Sequence, residues 1–278
     1  MLQLTTIELY KIFARRRSYI AFIAICIIVV ITKLAVLYEG QEMLDFLTRE
    51  LAESFLFQGN LVNGYMVCYL VLNFLWVHVP LLIVIVTGDL LAGEANAGTF
   101  RILLTRPVNR ISLVTAKYIA ALVYTLVIVV FLGVFSITLG LLIFGKGDLM
   151  VFLGGVNIFP ETDILWRFAI AYGFGFLSMA TIAALSLLLS STSNNSLGPI
   201  ITTMAIIIVC TMISTLDLEV FRAIKPYLLT TYLDAWQLFF YFDINTEEVF
   251  TAAVILLLHI LIFYAVTAFY FNRKDILS

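Results

Sequence analysis

The chain has 278 residues, 63% of them hydrophobic and 12% charged, with a formal net charge of -2 and a mean hydropathy of +1.08. Soluble domains carry about 25% charged residues, so this composition excludes an ordinary soluble module, and so small a net charge excludes a nucleic-acid partner. The odd set of thiols, Cys26, Cys68 and Cys210, lies inside apolar runs and supports neither a disulfide framework nor a metal site.

A bilayer core of about 30 Å needs roughly 20 apolar residues in helical form. Runs at 19–37, 65–86, 119–144, 165–189, 197–216 and 249–271 meet that length. They are continuous rather than alternating, which excludes barrel strands. The expected fold is one all-α integral membrane domain over 1–278 with six transmembrane helices.

Residues 2–17 place Leu2, Leu9, Ile12 and Phe13 at near-helical spacing ahead of Arg15, Arg16 and Arg17. This pattern predicts an interfacial helix whose basic residues lie beside anionic headgroups. The first run is longer than a signal core, and Tyr38-Glu39-Gly40 offers no small-residue cleavage pattern, so it reads as an uncleaved span. Lys33, near the far end of this span, is expected to snorkel outward, as is Arg167 in the fourth span. The segment 38–64 is acidic, with apolar residues that predict a short amphipathic helix. The segment 145–164 holds Gly147, Gly154, Gly155 and Pro160 and reads as a turn-rich cover.

Ala169, Ala171, Gly173 and Gly175 in the fourth span form overlapping small-residue pairs suited to close helix packing or a dimer seam. Ser190–Ser196, followed by Gly198 and Pro199, predicts a tight hairpin between spans four and five. Residues 217–248 are aromatic but interrupted by Lys225, Pro226 and Asp234. They admit two readings: a re-entrant helical hairpin buried in protein, or an aromatic cluster at the outer interface.

Charge orients the spans. Lys11, Arg15, Arg16, Arg17, Arg101, Arg106, Arg110, Lys117, Arg273 and Lys274 fall on one side with only Glu8, Asp89, Glu94 and Asp275, while the remaining acids fall on the other. The positive-inside rule then predicts cytoplasmic termini. The chain shows no G-x-x-x-x-G-K-[ST] phosphate loop, no H-E-x-x-H helix and no G-x-S-x-G elbow. His78 and His259 lie inside spans, and helix-to-helix hydrogen bonding is the expected fate of His78. No acid lies deep within any of the six spans, which argues against a proton-coupled carrier.

The stretch between spans two and three, Thr87–Lys117, concentrates the remaining signals. Asp89–Asn96 continues the second helix, Gly98 breaks it, and Thr99 is placed to cap a further short helix. Pro107 ends that piece, and Asn109 or Ser112 caps the third span. Read from the residues alone, this is either a rigid L-shaped excursion or a plain basic anchoring loop.

Glu94-x-x-x-Gly98-Thr99-x-x-x-Leu103-Leu104-x-x-Pro107-Val108-x-Arg110, with Lys117 beyond, resembles the corresponding pattern in permeases of ABC-2 type (exporter-type) ABC transporters. The six-span layout resembles that family along the whole chain. The resemblance implies that Asp89–Leu104 within this stretch is a cytoplasmic coupling helix gripped by a separate ABC ATPase subunit. It makes Asp89, Glu94, Gly98, Thr99, Arg101, Arg106, Pro107 and Arg110 the coupling residues, with Glu94 and Arg101 as direct contacts. It also implies a second permease protomer, identical or related, and an inner (cytoplasmic) membrane location. No cofactor is expected in this chain, since ATP and Mg would be bound by the partner. The resemblance implies export of an unnamed substrate and no enzymatic activity here. The rival expectation, from a different class, is a membrane scaffold or assembly factor that moves nothing.

Overall fold

The computed structural model describes residues 1–52, 61–99 and 109–274. It is 83% helical, and helices over Ser18–Gly40, Gly64–Asn96, Arg110–Phe144, Glu161–Thr192, Leu197–Thr215 and Thr246–Arg273 are long and apolar enough to cross a membrane. This is the architecture of a multi-pass membrane protein. In chain order the helices are α1 (Leu2–Ala14), α2 (Ser18–Ala52), α3 (Gly64–Thr87), α4 (Asp89–Asn96), α5 (Arg110–Phe144), α6 (Glu161–Thr192), α7 (Leu197–Thr215), α8 (Glu219–Arg222) and α9 (Thr246–Arg273).

Asparagine starts three of the long helices. Asn63 accepts from Tyr65 N and Met66 N, Asn109 from Ile111 N, and Asn245 from Glu247 N and Glu248 N. Each satisfies backbone donors that a helix start leaves free, at about 1 kcal/mol per cap.

Helices α3 and α6 form the centre. In α6, 72% of the apolar window is buried, against 11% in α9 and 17% in α7, so the last two are peripheral. Lipid is as apolar as leucine, so close packing rather than exclusion from water must hold such a centre. A Cβ on Gly175 would stand 2.9 Å from the Trp76 ring, whereas one on Gly173 would meet nothing. Only part of the small-residue stripe therefore serves packing within the chain.

One end of the bundle gathers both chain-terminal helices. Lys274 Nζ donates to Ser191 O at 3.1 Å and to Asn194 Oδ1 at 2.9 Å, and Arg110 Nη1 donates to Lys274 O at 2.8 Å. Helix α1 and helix α4 lie at this same end, which we call the terminal end.

The opposite end differs from expectation in three ways. Within the turn-rich segment, β1 (Leu149–Phe152) and β2 (Val156–Phe159) pair antiparallel, with Leu149 opposite Phe159. Gly154 (φ 61°) and Gly155 (φ 158°) make the turn, a conformation that residues with a Cβ resist. Arg167 does not snorkel: it is 6% exposed, pairs with Asp163 at 2.8 Å, and donates to Phe239 O and Tyr241 O. Its guanidinium also stacks 4.2 Å from the Phe159 ring centroid, so it ties the hairpin to the segment before α9. Lys33 is likewise turned inward, 1% exposed, with Nζ 3.8 Å from Cys68 Sγ. Gly140 opens the room for it, since a Cβ there would lie 2.9 Å from that nitrogen.

Within 217–248, residues 229–240 dip into the bundle, while most of the residues on either side are exposed. A 3-10 segment, Leu229–Phe240, carries Trp236 and Phe240, both fully enclosed. Trp236 lies 5.5 Å from the Trp76 ring and Phe240 lies 5.1 Å from Phe168. Ser178 Oγ, at the middle of the 32-residue α6, donates to Leu233 O at 3.1 Å. At 1.5 Å per residue that is roughly 25 Å from the start of α6. Of the two readings, the re-entrant placement is the nearer, but the buried piece is a single 3-10 segment and not a helical hairpin, and Thr231 and Asp234 within it stay exposed.

The histidines bond within their own helices: His78 Nδ1 to Phe74 O and His259 Nδ1 to Ile255 O, both at 2.8 Å. The expected cross-helix bond of His78 is therefore absent among the described residues.

Candidate functional site

The stretch singled out by its sequence begins where α3 meets α4. Gly88 keeps helical angles (φ -65°, ψ -20°), so the chain bends without unwinding. The first-turn donors of α4 need an acceptor. Ser190 of α6 supplies it: its Oγ accepts from Leu91 N at 3.1 Å and from Ala92 N at 2.9 Å. A cap from another helix thus fixes α4 to the centre of the bundle.

Helix α4 ends as the sequence indicates. Gly98 adopts φ 67°, and Gly98 N donates to Ala95 O at 3.1 Å, a turn that favours glycine. The backbone donors expected for a Thr99 cap lie outside the described residues. The Thr99 hydroxyl donates back to Glu94 O at 3.2 Å, closing the helix it follows. Arg101, Arg106 and Pro107 lie outside the described residues. Arg110 begins α5 and holds the end of α9 through Asn272 O and Lys274 O.

Asp89 and Glu94 point inward, which corrects the expectation that Glu94 faces a partner. Asp89 is 2% exposed and Glu94 6%. Glu94 belongs to a closed ring of alternating charge. Lys117 Nζ lies 2.7 Å from Glu8 Oε2 and 2.9 Å from Glu94 Oε1, and Lys11 Nζ lies 2.7 Å from Glu8 Oε1 and 2.9 Å from the same Glu94 oxygen. Two ammonium groups and two carboxylates cancel, so the ring carries no net charge. Asp89 takes Arg15 Nη1 at 2.8 Å and also pairs with Arg17. A side chain at Gly93 would run into the Asp89 carboxylate, so glycine leaves the room in which this pair forms.

The electrostatics follow from the neighbours. Burial opposes the Lys11 ammonium, yet Glu8 and Glu94 outweigh it and raise its pKa above 10.5. Burial, with Arg15 alongside, draws Arg17 down to about 10, which leaves it charged at neutral pH. Buried ions are stable only when such partners are complete; losing one partner from a buried pair costs about 3–5 kcal/mol. Glu94 Oε2 has no partner among the described residues, and a cavity of about 10 Å³ beside the ring is large enough for a single water.

The sequence pattern caught Asp89, Glu94, Arg110 and Lys117 but missed Glu8, Lys11, Arg15, Arg17 and Ser190 as members of one site. Arg15 and Arg17, expected at headgroups, instead turn to Asp89. The available signal was the position of Glu8 one turn before Ile12, on the apolar face of α1, because both are buried. An acid on such a face calls for a cation opposite it.

The architecture couples four elements at one point: α1 through Glu8 and Lys11, α4 through Glu94, α5 through Lys117, and α6 through Ser190. A family model described as "Protein of unknown function (DUF2705)" matches residues 22–277. The chain belongs to this family. A relative in Bacillus subtilis (strain 168), "Uncharacterized protein YhcI", is 29% identical over 119 residues, covering 41% of this chain and 37% of that protein. The chain therefore aligns with little more than a third of that relative's length.

Proposed function

We propose that this chain is the membrane-spanning permease subunit of an ATP-driven exporter, with α4 and the following residues 97–109 forming the coupling element for a separate ATPase. The observation that carries the reading is the mechanical linkage of α4. It is short, it lies at the terminal end, and it is bonded to α1, α5 and α6 at once. A push on such an element moves three helices together, which is what conversion of ATP-driven closure into a rigid-body switch requires. The resemblance of Glu94–Lys117 to the ABC-2 pattern supports the same reading.

In this mechanism ATP and Mg bind the partner, and this chain supplies no catalytic group. Glu94 and Asp89 hold the coupling element in register, while Arg101 and Arg106 contact the ATPase. The terminal end faces the cytoplasm of the inner membrane, α1 lies along its leaflet, and a second protomer, identical or related, completes the path.

The test is recovery of the tagged chain from native membranes in mild detergent, followed by identification of partners by mass spectrometry. A stoichiometric soluble protein with a phosphate loop, lost on Arg101→Glu together with Arg106→Glu, supports the reading. Recovery without any ATPase, where a control complex survives, favours a scaffold that moves nothing.

A further inference from the structure

A separate feature lies away from the ionic ring, where the dipping segment meets the bundle. A cavity of about 380 Å³ is walled by Trp76 and Pro80 of α3, Met179 of α6, Met204 and Ile207 of α7, and Asp234 of the 3-10 segment. A second cavity, of about 640 Å³, lies on the other side of that segment and includes Tyr232, Tyr241, Glu247 and Glu248. Asp234 lines both cavities.

The chemistry of the walls is one-sided. Asp234 is the one ionisable group among the described residues lining the first cavity, and neither cavity is lined by a lysine or arginine among them. One buried polar atom in the first wall, Thr230 Oγ1, has no partner among the described residues, in a residue 5% exposed, while the Trp76 indole N–H faces the Asp234 carboxylate. Buried donors are rarely left unpaired without a role. Indole faces attract cations, and methionine side chains adapt to apolar bodies of varied shape. Glu247 and Glu248 have a sufficient local reason, since they open α9, where negative charge is favoured, and Glu248 also accepts from Asn245. Asp234 opens no helix; it is exposed, and it follows Leu233, whose carbonyl accepts from Ser178 in the middle of α6, a depth at which a carboxylate calls for a functional account.

We propose that the two cavities form one binding path for an amphipathic organic cation. The Asp234 carboxylate, which lines both, holds the positive group, and the Trp76, Met179 and Met204 wall takes the apolar body. The acidic outer cavity gathers cations ahead of it. This names the substrate class of the transporter proposed above and depends on that reading for its role, while binding itself needs no ATPase.

The experiment uses the full chain in lipid nanodiscs, with empty nanodiscs to subtract partition into lipid. The probes are tetraphenylphosphonium and tetraphenylborate, which share a shape and differ in sign. Saturable binding of the phosphonium alone is expected, weakened at least about tenfold in Asp234→Asn and retained in Asp234→Glu. Equal binding of both ions, or unchanged phosphonium binding in Asp234→Asn, overturns the proposal. If Asp234→Asn does not fold, competition in the unaltered chain decides. Displacement of the phosphonium by dodecyltrimethylammonium but not by tetraphenylborate supports the path, and displacement by both overturns it. Cation-selective binding without a recoverable ATPase would sink the transporter reading alone. Unselective binding with the ATPase recovered would sink only this one.

Discussion

Lys117 Nζ lies 2.7 Å from Glu8 Oε2, although 109 residues separate them in the chain. Their side chains are 1% and 3% exposed, so the pair is shielded from solvent, and it joins the first helix to the start of the third span. Glu94 shares the same lysine, which places the end of α4 under the control of both.

The ring predicts an ordered set of stabilities. Lys117→Met leaves Glu8 and Glu94 to share Lys11, and the expected loss is about 3–5 kcal/mol. Adding Glu8→Gln restores balance by leaving Lys11 with Glu94, so the double variant should melt above the single one. Thermal unfolding of the purified chain in detergent measures this. A double variant less stable than Lys117→Met would show that charge balance is not what the ring provides.

Ser190→Ala removes the shared acceptor of Leu91 N and Ala92 N. Leaving buried donors unpaired costs about 1–3 kcal/mol. Hydrogen exchange should accelerate at Leu91 and Ala92 while the middle of α3 keeps its protection. Equal acceleration throughout α3 would mean that the hydroxyl supports the whole helix and not α4.

Gly93→Ala places a methyl group against the Asp89 carboxylate. Such overpacking costs about 1–3 kcal/mol and should displace Asp89 from Arg15 and Arg17. A cysteine pair bridging α1 and α4, scored for cross-linking in membranes, should then react less than in the parent. An unchanged yield would locate the tolerance in α1.

The alkaline response has a definite sign. Lys11 has a raised pKa in the folded chain, so its contribution is complete below about pH 10.5 and fades as pH rises through the raised value. Wild type and Lys11→Met should differ in melting temperature by a constant amount across neutral pH and converge in strong alkali. A gap that widens with pH would contradict the assignment.

Sidedness is open to labelling. Asn195 and Asp243 are both exposed, one at the terminal end and one at the other. With Cys26, Cys68 and Cys210 replaced by serine or alanine, Asp243→Cys should react with an impermeant maleimide in intact cells, and Asn195→Cys only after lysis. The reverse result would invert the orientation.

The sequence by itself determined the six apolar helices, because only a continuous internally bonded backbone fits such runs. It also indicated two breaks, since Asn109 carries its capping oxygen within a few atoms of the donor it satisfies and Gly98 needs no Cβ clearance for its left-handed turn, whereas the Asn63 and Asn245 caps came only with the structure. These are local interactions, legible over three or four residues. Of the two caps open for α5, Asn109 or Ser112, the structure has Asn109, so the helix starts at Arg110. The hairpin was missed because four-residue strands are too short for a periodic signal.

Tertiary structure alone decided which way the charges point. Asp89, Glu94, Lys33 and Arg167 look the same in sequence whether they face water, headgroups or another helix. Their direction depends on partners far along the chain: Arg15 and Arg17, Lys11 and Lys117, Cys68, and the carbonyls of Phe239 and Tyr241. Burial of a charge is favourable only when its partner arrives from another element, and that arrival is a property of the packed bundle.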